Sequence, residues 1–120
     1  MTSARPDDGL LRTELRALRL GAGASPARIL ASGELYERLG RPPTGEVIAT
    51  LKARLAELGD DQETAALASA LALNTDEGAD RRLAGRRTAF ARRSGLMPDV
   101  IERFESTAIN RLVELLITSD

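Results

Sequence analysis

The densest run of chemically capable side chains lies between residues 81 and 93, where Arg81, Arg82, Arg86, Arg87, Arg92 and Arg93 occur without an intervening acid. A guanidinium is a planar, permanently charged fork that matches phosphate or carboxylate oxygens in pairs. Such a run suits contact with a phosphate backbone, which supplies affinity without reading bases. Two other uses fit the same residues: a solvated helix face salt-bridged to acids elsewhere, and a docking surface for an acidic protein. The acids themselves point away from catalysis. Asp7-Asp8 and Asp60-Asp61 stand where helices begin, a position that favours carboxylates as caps and against the macrodipole. Glu34 and Glu37 lie one turn apart, but a two-carboxylate mechanism needs a cleft and a raised pKa. With no Cys and no His, thiolate chemistry, zinc ribbons, iron–sulfur sites and the commonest general base are all excluded. The expectation is a protein that is not an enzyme and holds neither metal nor cofactor.

The elements that position these residues are helical. Ala and Leu, among the best helix formers, occur 19 times each, while Val, Ile and Thr are scarce. Arg outnumbers Lys 16 to 1, as a GC-rich bacterial coding sequence produces. A length of 120 residues with 42% hydrophobic content fits one domain with a core, residues 1–120. No apolar run approaches the roughly 20 residues of a membrane span, and no secretory signal is expected, so the cytoplasm is the expected location. The three aromatics, Tyr36, Phe90 and Phe104, are too few for a base-stacking single-strand binder.

Along the chain, a first helix carries Leu11, Leu15 and Leu18 on one face and stops at Gly21-Ala-Gly23. Ser25-Pro26 starts a second, Ser32-Gly33 interrupts it, and a third carries Leu35, Tyr36 and Leu39. Arg41-Pro42-Pro43 is a loop. Thr44 is expected to cap a fourth helix through Val47, Ile48, Leu51, Leu55 and Leu58, ended by Gly59. The pair Asp60/Glu63 has capping-box spacing for a fifth. A polar stretch over 74–79 divides the N-terminal part (7–74) from a C-terminal part (80–118). Charge changes sign across it: residues 1–80 carry 9 basic and 13 acidic side chains, residues 81–120 carry 8 and 5. Helix six is expected over 80–94, and a long last helix from Pro98 to about Thr118.

The stretch Arg86 to Glu105 places Ala91 four residues before Gly95 and ten before Ile101. This is the helix-turn-helix arrangement, with a small residue at the crossing, a left-handed glycine in the turn and an apolar lock on the second helix. The chain from about Leu10 to Leu116 also resembles a family of poorly characterised actinobacterial helical proteins. The resemblance is carried by Leu15-Arg-Ala-Leu-Arg19, Leu71-Ala-Leu-Asn74 and Ala108-Ile-Asn-Arg-Leu112. It implies helix-turn-helix ancestry, similar to sigma-factor and repressor segments, and no catalytic activity. The sequence departs from a DNA-reading pattern at Asp99, Glu102 and Glu105, which face the reading position with Arg103 alone as a cation.

The expected fold is thus an all-α bundle of six to seven helices, the last two forming a helix-turn-helix-like unit. The leading functional expectation is a regulatory domain contacting double-stranded DNA weakly, through Arg86, Arg87, Arg92, Arg93 and Arg103. The alternative is a protein-interaction module that kept the scaffold. The last helix is apolar on two sides, and its second stripe, Ile109, Val113, Leu116 and Ile117, is the candidate interface for a homodimer or a protein partner.

Overall fold

Leu11, Leu15 and Leu18 recur at three- and four-residue steps, and that stripe folds as helix α1 (Pro6–Leu18) with all three leucines buried. The computed structural model of the chain describes residues 6–73 and 82–118, with side chains from Gly9 onward. Among these residues the order continues α2 (Pro26–Ala31), α3 (Gly33–Arg38), a 3-10 turn (Thr44–Glu46), α4 (Val47–Ala56), α5 (Gln62–Ala70), α6 (Leu83–Ser94) and α7 (Pro98–Thr118). There is no strand among them, and the all-α bundle of seven helices is as expected. The expected 74–79 divide, and Arg81 with it, lie outside the described residues.

Local chemistry sets most boundaries. Ser25 caps α2, its Oγ accepting from the Arg28 N–H at 3.2 Å, with Pro26 in the first turn. The break between α2 and α3 is bridged in an unexpected way. Glu14, on α1, accepts from the backbone N–H groups of Glu34 (3.2 Å) and Leu35 (2.7 Å), so a carboxylate from another helix caps α3. Two starts differ from expectation. Thr44 does not cap α4: Pro43 occupies the preceding extended position, the chain makes a 3-10 turn through Gly45, and the α-helix begins at Val47. The capping box at α5 is also not formed. Asp61 is the N-cap residue, but its Oδ1 accepts from the Thr64 hydroxyl (2.6 Å), and its Oδ2 and Glu63 Oε1 both accept from Arg111 (2.7 and 3.0 Å). These two donors hold the Asp61 carboxyl below the usual carboxylate range, the Thr64 bond first.

The core has two parts, and α7 runs through both. The larger part gathers leucines of α1, α3, α4 and α5 around Ala108, Ile109, Leu112, Val113, Leu116 and Ile117. The smaller part joins Ala66 of α5, Phe90 of α6 and Ile101 of α7, with Ala91, Leu96 and Phe104 at its edge. A radius of gyration of 13.8 Å is that of a folded chain of this length, about 13.6 Å.

The second apolar stripe of α7 is not the exposed interface that its pattern suggests. Ile109, Val113, Leu116 and Ile117 are exposed by only 1, 2, 1 and 7%. The second stripe of α7 is covered by the chain's own α1, α4 and α5, so it offers no surface to a partner. A 21-residue helix at the centre of a small bundle is surrounded, and two apolar faces are what that position requires.

Candidate functional site

The arginine-rich helix α6 (Leu83–Ser94) is closed by Gly95, which sits in the left-handed region (φ 75°) with its N–H on the Ala91 carbonyl at 2.8 Å. Three residues, Gly95 to Met97, connect it to α7. Phe90 and Ile101 are buried together beneath this turn, with Ala91 packed against them. α5 packs against both helices and completes a three-helix unit.

The five arginines expected to form a contact surface divide into two groups. Arg86 is 6% exposed and points into the bundle. Its Nη2 donates to the carbonyls of Arg19 (2.6 Å) and Ala70 (2.8 Å), its Nη1 to Gly21 (2.9 Å), and its Nε to Ala70 (3.3 Å). These carbonyls lie at the C-terminal ends of α1 and α5, where the last turn leaves acceptors without helical partners. Arg86 therefore clamps three elements together and is not a ligand contact. Arg87 holds Glu105 by a bidentate fork, Nε to Oε2 at 2.9 Å and Nη2 to Oε1 at 2.7 Å, and reaches Glu102 Oε2 with Nη1 at 3.1 Å. Carboxylate contact, chiefly with Glu105, pushes its guanidinium further toward the charged form.

Glu105 is the residue the sequence reading misplaced. Its side chain is 0% exposed and also receives Arg19 Nη1 at 2.6 Å. It does not face outward from the start of α7; it joins α1, α6 and α7 from within. A signal for this was present, since Glu105 follows Ile101 by four residues and precedes Ala108 and Ile109 by three and four, on the buried stripe.

The second group stays on the surface. Arg92, Arg93 and Arg103 are exposed, the first two in the last turn of α6 and the third in the second turn of α7. Arg93 lies over the Phe90 ring, 5.3 Å from its centroid, which fixes the direction of its stem. Met97, in the turn between them, is 65% exposed. Of the three acids that weigh against an anionic partner here, Glu105 is internal and Glu102 is tied to Arg87. Asp99 remains the outward acid of the first turn. The exposed balance at this corner is positive.

Elsewhere, a shallow cleft of about 250 Å³ lies between α4 and α5, floored by Leu55, Ala65, Ala68 and Leu73, with Lys52 and Asp60 among its lining. It is smaller than typical ligand pockets, which run to roughly 300–1,000 Å³. Among the described residues no three potential metal-ligating side chains gather, and no helix is long and apolar enough to cross a membrane. Comparison with protein-family models, with curated proteins and with solved structures finds no match to this chain.

Proposed function

We propose that this chain is a non-enzymatic regulatory domain that makes auxiliary contact with the phosphate backbone of double-stranded DNA through the α6–α7 corner. One observation carries the reading: Arg92, Arg93 and Arg103 are exposed around a three-residue turn while Glu102 and Glu105 are engaged by Arg87. The helix-turn-helix spacing and the family resemblance support it. Arg86 leaves the contact set because it is buried, and Arg87 enters only as described below. Such a role belongs in the cytoplasm, alongside the DNA.

Fluorescence anisotropy with a mixed-sequence duplex at about 50 and 200 mM salt tests this. Three phosphate contacts give a log–log slope near −2.7, hence a roughly 40-fold loss of affinity over that range. Charge reversal at Arg92, Arg93 and Arg103 together is expected to abolish binding to every duplex alike. Binding that ignores salt, or that survives the triple reversal, refutes the reading. A second reading, a protein-interaction module on the same scaffold, is favoured by Met97, a large apolar side chain 65% exposed between the arginines. In that case Met97→Asp, and not charge reversal, removes the interaction.

A further inference from the structure

We infer that Glu102 is a built-in competitor for a fourth phosphate contact, made by Arg87, at the α6–α7 corner. The inference rests on the DNA-contact reading and assigns that site its regulation. Arg87 is fixed on one edge by a carboxylate that cannot leave: Glu105 is 0% exposed and is held in turn by Arg19 at 2.6 Å. The fork therefore has a set orientation before any ligand arrives, which removes most of the ordering cost of recruiting a flexible arginine. Its other edge, Nη1, faces Glu102 through a single contact of 3.1 Å, and the Glu102 side chain is 62% exposed. The two carboxylates on one guanidinium thus differ in kind. One is internal and bidentate, the other is outward, monodentate and screened by solvent.

A carboxylate oxygen and a phosphate oxygen present the same acceptor to Nη1. Glu102 thus occupies the place a backbone phosphate would take, and its side chain has solvent into which to swing away. Glu102 is followed directly by Arg103, and both are exposed, so this edge of Arg87 opens beside one of the arginines of the corner. Displacing Glu102 adds a contact, and retaining it keeps the affinity low. Weak contact with DNA is then a property of one side chain and not of the whole surface.

The test compares Glu102→Gln with Asp99→Asn, which removes an equal charge one turn earlier on α7 without touching Arg87. In the anisotropy titration, Glu102→Gln is expected to bind at least threefold more tightly at 50 mM salt and to steepen the slope by about 0.9, one additional phosphate. Asp99→Asn is expected to leave the slope as it is. Equal behaviour of the two variants, or no tightening by Glu102→Gln, overturns the inference. If no form of the protein binds DNA, the function proposed above falls, and inorganic pyrophosphate decides the present point separately. Its titration is followed at the Arg87 Nε–H resonance. A saturable shift in Glu102→Gln that wild type lacks at the same concentration supports the inference. Identical responses overturn it.

Discussion

Replacing Arg86 by Met tests whether the arginine-rich helix is held from inside. The substitution keeps most of the apolar stem and removes the fork that donates to Arg19, Gly21 and Ala70. A buried acceptor left without a donor costs about 1–3 kcal/mol. The Ala70 carbonyl belongs to a residue 1% exposed and takes about 2 kcal/mol of this, because water reaches it poorly. Gly21 is exposed and Arg19 half-buried, so hydration recovers part of their loss and about 0.5 kcal/mol is assigned to each. Removing a buried cation also returns some desolvation energy, which places the expected loss at about 2–3 kcal/mol. At this chain length that corresponds to a fall in Tm of roughly 8–12 °C. Urea unfolding followed by circular dichroism measures it. A Lys at the same position, with one ammonium in place of a fork, is expected to fall between Met and wild type. Stability of Arg86→Met within about 0.5 kcal/mol of wild type would refute the clamp, since no such set of acceptors could then depend on it. If the corner contacts DNA as proposed, the folded variant is expected to bind it as wild type does, which separates this arginine from the corner group.

Three further substitutions probe the packing that holds the corner in place. At Gly23 (φ +88°) an added Cβ would lie 2.7 Å from both the Ala72 Cβ and the Leu71 carbonyl oxygen. Gly23→Ala is therefore expected to cost about 2–4 kcal/mol in urea unfolding, and a cost under 1 would mean that the loop moves freely off α5. Ala72 closes α5 in the left-handed region (φ 61°), with the Leu73 N–H on the Ala68 carbonyl at 2.9 Å, a position where glycine is the unstrained residue. Ala72→Gly is expected to raise stability by about 0.5 kcal/mol, and a clear loss would contradict the strain. Leu116→Glu places a carboxylate at a position 1% exposed and is expected to abolish folding by circular dichroism, at a cost of about 4 kcal/mol or more. A folded variant of reduced mass in light scattering would return that face of α7 to the surface.

Much of this architecture was legible because helix periodicity reports burial. Leu11, Leu15 and Leu18, the leucines of α4 and the Gly95 turn stand where their spacing places them, since each obeys a rule that involves only near neighbours in sequence. The candidate site was legible less well, for the complementary reason. Whether an arginine faces water depends on acceptors brought from far along the chain: Arg86 meets Gly21 across 65 residues, and Arg19 meets Glu105 across 86. No local rule carries that information. The capping box at α5 failed in the same way, because Arg111 reaches Asp61 and Glu63 from about 50 residues away. Glu102 and Glu105 illustrate both sides. The three-residue step between them sends one outward and one into the core, and only Glu105 keeps the register of Ile101 and Ala108.

The excess of arginine over lysine acquires a physical meaning from these contacts. Arg28 donates to the carbonyls of Ala17, Leu20 and Gly23 (2.8, 2.6 and 2.7 Å), closing the end of α1. Arg86 serves the ends of α1 and α5, and Arg111 reaches the Leu58 carbonyl beyond α4 at 2.6 Å. Three helix C-termini are thus closed by guanidinium groups from other helices, where positive charge complements the macrodipole and several donors are needed at once. The arginine content alone does not explain why one side chain should meet several carbonyls. Lysine, with one compact ammonium, does not offer a planar fork to several carbonyls at once, so an Arg-to-Lys change at 28, 86 or 111 is not conservative in this fold. These internal contacts also limit the charge left on the surface. A C-terminal part that sums to +3 by sequence directs Arg86, Arg87 and Arg111 at carbonyls and carboxylates of its own chain. The positive charge left on the surface of the α6–α7 corner is carried by Arg92, Arg93 and Arg103, whose positions on their helices are exposed.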